Sequence, residues 1–164
     1  MAVLITGIGN LLLSDEGVGV RAVEALEARY RFPDGVDLLD GGTSGMELLE
    51  AMASRKLLIV IDAVRSDYPP GSVFVLEDEE VPAFFSQRVS PHQLGLADVL
   101  MALKLTDEFP QRLVLVGIEP ESLAPGMSLS DCASKALELA VEQVISLLQQ
   151  AGITPVLREE SDAG

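Results

Sequence analysis

One histidine must serve any imidazole chemistry in this chain. It is His92, in the segment Ser90-Pro91-His92-Gln93-Leu94-Gly95-Leu96, where a helix is expected to begin. Two other segments place carboxylates where a metal ion would want them. Gly7 to Gly19 carries Asp15 and Glu16, and Leu57 to Ala63 carries Asp62. One imidazole and two acids cannot fill a closed structural metal site, but they can form an open one completed by water or by a substrate. A further acid, Asp40, precedes the run Gly41-Gly42-Thr43-Ser44-Gly45.

Each of these residues also has a plainer reading. Asp15 and Glu16 carry negative charge where it would stabilise a helix N-terminus. Asp62 and Asp40 can each simply cap a turn. The glycines after Asp40 let backbone approach a bound chain or ion closely, or only form the turn into the next helix. Ser90 and Pro91 suit a helix cap and first position, so His92 can be an incidental first-turn residue. A helix N-terminus, however, disfavours imidazolium and leaves the neutral imidazole that binds metal.

Other chemistries fit less well. Gly7 and Gly9 begin a dinucleotide-type Gly-x-Gly-x-x-Gly loop, and Asp40 could hold a ribose, but Leu12 occupies the third glycine position. A nucleotide-dependent oxidoreductase is therefore the weaker enzyme alternative. There is no Gly-x-Ser-x-Gly elbow, and one histidine excludes a His-Glu-x-x-His zinc protease. Cys132, the only cysteine, permits neither an intrachain disulfide nor a cysteine zinc site, and reads as a small buried hydrophobe on the last helix.

The elements that must position these residues alternate. Strands are expected at Ala2–Thr6, Val36–Leu39, Leu57–Ile61, Ser72–Leu76 and Leu113–Ile118, the fourth at an edge after Pro69-Pro70-Gly71. Helices are expected at Gly17–Arg31, Gly45–Ser54, Pro91–Leu105 and Leu129–Gln150, the last capped by Ser128 or Ser130. Leu57–Ile61 and Leu113–Ile118 are apolar without alternation, as in strands covered on both faces. The order β-α-β-α-β-β-α-β-α predicts an α/β fold: a mostly parallel twisted sheet of about five strands with helices on both faces. Sites in such folds form beyond the carboxyl ends of the strands. Glu16 should leave the first strand, Asp40 end the second, Asp62 end the third and His92 open a later helix, all on one solvent-open rim. If Glu16 and Asp62 meet there, their like charges should disfavour one another.

The 164 residues suit one domain, expected over 1–157, with a polar, frayed tail at 158–164. Apolar residues make up 48% of the chain, enough for a packed core, and the net charge of −15 argues against nucleic acid and anionic membranes. No apolar run approaches the ~20 residues of a membrane span, so membrane insertion is not expected. No basic segment precedes an apolar one at the N-terminus, which predicts a cytoplasmic protein.

Taken together, Gly-Ile-Gly-Asn-Leu-Leu-Leu-Ser-Asp-Glu-Gly-Val-Gly at 7–19, Leu-Asp-Gly-Gly-Thr-Ser-Gly at 39–45, Val-Ile-Asp-Ala at 60–63 and Ser-Pro-His-Gln at 90–93 resemble the hydrogenase maturation endopeptidases. The resemblance continues through Gly117-Ile118-Glu119-Pro120 into the last helix. Ser-Pro-His-Gln-Leu-Gly-Leu-Ala-Asp-Val-Leu resembles the branch that matures the hydrogenase-2 large subunit. The resemblance implies an endopeptidase that removes a C-terminal extension from the nickel–iron hydrogenase large-subunit precursor, its partner, after nickel insertion. It places the metal-binding positions on Glu16, Asp62 and His92. It also implies that nickel arrives with the precursor, and that zinc or cadmium can occupy the site in vitro. Glu16 stands where many members carry Asp, and glutamate is an oxygen ligand of longer reach. Asp40 falls on a family acidic position assigned to substrate positioning or cleavage. Catalytic roles for Glu16 and Asp62 depend on whether the metal activates water or only marks the substrate. A nickel-dependent chaperone that binds the precursor without cutting it is the non-enzymatic alternative.

Overall fold

The structure is a computed structural model that describes residues 2–42, 48–86 and 91–158, with side chains left out for residues 86 and 91–95. In chain order its elements are β1 (Val3–Ile8), a 3-10 turn (Ser14–Gly17), α1 (Val18–Arg29), β2 (Tyr30–Arg31), β3 (Val36–Gly42) and α2 (Leu49–Met52). Then follow β4 (Leu57–Ala63), β5 (Val73–Glu77), α3 (Glu80–Ser86), α4 (Pro91–Leu105), β6 (Arg112–Ile118), α5 (Asp131–Gln150) and β7 (Val156–Leu157).

The uninterrupted apolar runs form the middle of the sheet. Strand order is β3-β1-β4-β6-β5. The first four strands are parallel, and β5 closes one edge antiparallel to β6. Every residue of β1 and β4 is buried, as expected for parallel strands enclosed by two helical layers. Side chains alternate across the sheet. Ile59, Ile61 and Ala63 join one apolar cluster with Val18, Ala22 and Leu26 of α1 and Ala140, Val144 and Leu148 of α5. Leu58 and Val60 join the other, with Met52 of α2, Phe85 of α3 and Val99, Leu100 and Leu103 of α4. Among the described residues, no helix is long and apolar enough to cross a membrane.

The α/β class, the five-stranded sheet and the edge position of the fourth expected strand are as predicted. Ser130, not Ser128, caps α5, its hydroxyl accepting from the Ala133 N–H at 3.2 Å. Helix α3 was not expected because Pro82 interrupts its sequence; the proline sits near its start, where no intrahelical donor is lost. The two-residue pairing of β2 with β7 was also not expected, since segments so short carry no periodicity. Beyond it, Arg158 donates its backbone N–H to Arg29 and its Nε to Glu27, while 159–164 lie outside the described residues. So does the first part of the helix expected at Gly45–Ser54, of which Leu49–Met52 is seen.

The central strands should dominate stability. Ile59 is fully buried in the middle of β4, and Ile59→Ala is expected to cost about 2–5 kcal/mol through lost burial and the cavity left behind. Urea unfolding measures this; a loss below about 1 kcal/mol would mean the strand is not enclosed as described.

Candidate metal centre

The sheet creates the site by changing direction. From β1 the chain passes through α1 to β3 on one side, then returns through α2 to β4 on the other. The carboxyl ends of β1 and β4 therefore form the switch point, where α/β sheets open a crevice. Glu16 lies in the 3-10 turn after β1, and Asp62 is paired with Ile8 near the end of β4.

Glycines let this turn sit close. A Cβ on Gly19 would lie 2.1 Å from the Ile61 carbonyl oxygen, so the first turn of α1 presses directly on β4. Gly19 thus provides the close helix–strand approach that Leu12 could not provide in a dinucleotide loop. Gly9 adopts φ +139°, and a Cβ there would lie 1.8 Å from the backbone oxygen of Glu16. Any side chain at either position would push the Glu16 turn away from Asp62.

Asp62 shares the face of β4 that bears Leu58 and Val60, the face packed on α4. It is 0% exposed. Both its carboxylate oxygens are buried and, among the described residues, neither makes a well-formed hydrogen bond, the Ala63 backbone N–H interacting only weakly. Burial pushes the Asp62 carboxyl well above the usual range, and the nearby Glu16 carboxylate raises it further. The backbone N–H of Ala63 pulls the other way, more weakly. Glu16 is itself 6% exposed. The two acids are thus brought together, but the solvent-open rim expected for them is not what forms. The apolar strands and the α1 turn enclose both.

Two other buried acids, which periodicity did not single out for these jobs, are engaged by hydrogen-bond donors. Asp15 does not cap α1. Its Oδ1 accepts from the Ser130 N–H at 2.7 Å. Its Oδ2 accepts from the Ser130 hydroxyl at 2.7 Å and the N–H groups of Glu121 and Ser122 at 2.9 and 3.2 Å. Burial alone would raise the Asp15 carboxyl, but the donors from Ser130, Glu121 and Ser122 together hold it below the usual range. Glu119, buried after β6, accepts at Oε1 from the Ser66 N–H and hydroxyl, both at 2.8 Å, and from the Tyr68 N–H at 3.2 Å. It ties down the loop leaving β4 just beyond Asp62. The one sequence hint for Glu119 is a carboxylate directly after a buried strand.

Asp40 lies on the far side of β1, level with Gly7 and Ile61. Two strand spacings place it roughly 10 Å from Asp62 along the sheet. Val36 and Leu38 pack on the α1 side and Leu39 on the α4 side, so alternation puts Asp40 on the face opposite Asp62. It is exposed, and its Oδ1 accepts from the Gly42 N–H at 2.9 Å, closing a turn at a bulge where Gly41 is skipped in the pairing. His92 opens α4 as expected, at Pro91–Leu105, but its side chain is outside the described residues. Among the described residues, no group of three potential metal ligands occurs. Cys132 is half-buried, with its Sγ 3.4 Å from the Ser130 hydroxyl, so it is not the fully buried hydrophobe expected.

A model of the hydrogenase maturation protease family matches residues 20–147. The chain belongs to that family. Hydrogenase 2 maturation protease of Escherichia coli K12 is 54% identical over 160 residues, spanning 97% of this chain and 98% of its own. Among solved structures, the hydrogenase maturating endopeptidase HybD from Escherichia coli superposes with a TM-score of 0.93 at 53% identity, over 96% of this chain and 98% of that one. The NiFe hydrogenase maturation protease HybD from Thermococcus kodakarensis gives a TM-score of 0.75 at 29% identity, over 90% and 99%. The protease reading and the hydrogenase-2 branch indicated by the sequence motifs hold, and the nucleotide-dependent oxidoreductase does not.

In the metal-free protease, Asp62 sets a pH dependence. Its raised native value means the folded state holds this proton at pH values where the unfolded chain, with an ordinary Asp near ~3.9, has released it. The stability this proton supplies is complete below the ordinary Asp range. It is lost as pH rises through the raised native value. Asp62→Asn removes that loss and should stabilise the metal-free fold at neutral pH by on the order of 1 kcal/mol. The gain should shrink toward pH ~4. Thermal unfolding of both proteins in chelator across this range checks it; a gain independent of pH would contradict the raised value of the buried Asp62.

Proposed function

We propose that this protease removes the C-terminal extension of a nickel–iron hydrogenase large-subunit precursor after nickel insertion, and that it recognises the bound nickel through Glu16, Asp62 and His92. The observation that carries the reading is the buried Asp62 carboxylate, without a well-formed hydrogen bond among the described residues and close enough to Glu16 to feel its charge. A buried carboxylate pair is costly unless a cation or a proton compensates it. Two carboxylates with one imidazole suit a borderline divalent ion such as nickel, with zinc or cadmium as substitutes in vitro. His92, at the first turn of the helix that covers the same sheet face, supplies the imidazole.

In this reading the nickel belongs to the substrate. Only a loaded precursor brings the ion, so metal insertion and cleavage are ordered by one binding event. The grip brings the scissile bond to the rim, where the exposed Asp40 positions the peptide or takes part in its cleavage. A cytoplasmic location belongs to the same proposal, and the lone thiol of Cys132 suits a reducing compartment.

The direct test incubates the protein with nickel-loaded and nickel-free precursor and weighs the products. Mass should be lost from the loaded precursor only, and His92→Ala, Asp62→Asn and Glu16→Gln should each reduce processing at least 100-fold while remaining folded. Binding of the loaded precursor without any loss of mass would instead identify a chaperone. Normal processing by the folded variants would remove these residues from the site.

Metal affinity should also follow the imidazole. Zinc binding is expected to weaken as pH falls through histidine protonation, near ~6.5 for a free side chain, and again when the carboxylates protonate. A titration that stays flat until the carboxylate range would show that His92 is not a ligand.

A further inference from the structure

The turn that carries Glu16 is not held by its own strand alone. Ser14 in this turn adopts φ 52°, a left-handed conformation that persists only where surrounding structure enforces it. That enforcement comes from the loop after β6. Ser14 donates its N–H to the Gly126 oxygen at 2.8 Å and its hydroxyl to the Ala124 oxygen at 2.6 Å. Gly126 returns its N–H to the Leu12 oxygen at 2.8 Å, and the Asp15 N–H reaches the Ser122 oxygen at 3.1 Å. At the centre is the Asp15 side chain, 0% exposed, whose two oxygens gather four donors from Glu121, Ser122 and Ser130. Glu16 is the next residue.

We propose that Asp15 is the positioning residue for Glu16: by binding the Glu121–Ser130 segment it locks the Ser14–Gly17 turn, so that the Glu16 carboxylate stays against Asp62 before any metal arrives. The inference rests on the reading of Glu16 as a metal ligand and deepens it. The physical need is specific to this pair. Close carboxylates disfavour one another, and a loosely attached turn would let Glu16 move away toward water. Metal binding would then have to reassemble the site and would be weaker. Asp15 touches neither metal nor substrate and acts through one peptide unit. Its fit to the task is chemical, since a carboxylate offers only acceptors and every partner it meets is a donor. An amide at the same place would turn a donor toward donors.

The experiment titrates zinc(II) alone into the folded protein at neutral pH, comparing wild type with Asp15→Asn, Ser130→Ala, Val144→Ala and Glu16→Gln. Removing groups that orient a metal ligand typically lowers affinity about 10–100-fold. Asp15→Asn is expected within that range, with the same one-ion stoichiometry at saturation. Ser130→Ala, which deletes one of the four donors, should lose affinity in the same direction by less, and it carries the test if Asp15→Asn does not fold. Val144→Ala loosens the core of α5 away from the turn and should lower the unfolding temperature without moving zinc affinity. If Asp15→Asn and Ser130→Ala bind zinc as tightly as wild type while melting earlier, Asp15 is only structural and the proposal is overturned. If Asp15→Asn weakens binding no more than Val144→Ala does, it is overturned as well. Glu16→Gln separates the two levels: unchanged binding in that variant defeats the metal-ligand reading itself, whatever Asp15 does.

Discussion

A carboxylate without a well-formed hydrogen bond among the described residues, buried near another carboxylate, is the constraint on which the rest of this structure turns. Asp62 lies near the end of a strand whose every residue is buried, and Glu16 is held near it by a turn that glycines permit. Such an arrangement disfavours the metal-free fold, because one charge is desolvated and the other repels it. The cost is borne by the apolar layers on either side of β4, which pack the strand on both faces. A cation reverses the balance: the same low-dielectric burial that penalises the bare pair strengthens its attraction to a positive ion. In the proposed function, selectivity for a metal-bearing substrate would come from this local instability, supported by stability elsewhere.

Two buried aspartates show how environment alone divides identical chemistry. Asp15 and Asp62 are equally buried. Asp15 meets four donors and is held ionised as a structural anchor, whereas Asp62 meets a second negative charge and is left wanting a cation or a proton. Glu119 belongs with Asp15, spending one oxygen on three donors to hold the loop beyond β4. Asp15 and Glu119 are thus engaged by donors, whereas Asp62 has no well-formed hydrogen bond among the described residues.

Much of this was legible in the residues themselves. The apolar runs at Leu57–Ile61 and Leu113–Ile118 have no alternation, so they had to be enclosed on both faces, and the alternation of strand and helix then required a mostly parallel sheet. The helix at Pro91–Leu105 could be bounded because Ser90 and Pro91 mark its start. The four motif segments identified the family, and the identity to curated relatives bears this out. Helix α3 and the β2–β7 pairing escaped because a proline in a first turn and two-residue strands leave no periodic signal.

What the sequence determined by itself was the fold class, the family and which acids and imidazole were available, because these follow from local composition and order. What only the tertiary structure decided was their environment. Nothing in Ser14-Asp15-Glu16 says that the first acid will find four donors more than a hundred residues away, while the second will face Asp62. Nothing in Val60-Ile61-Asp62 says that the strand end is sealed from solvent, or that Asp40, an acid at an equivalent strand end, lies on the opposite face and exposed. Burial, charge proximity and hydrogen-bond supply depend on distances between segments remote in sequence, and those distances exist only once the sheet has reversed direction between β1 and β4.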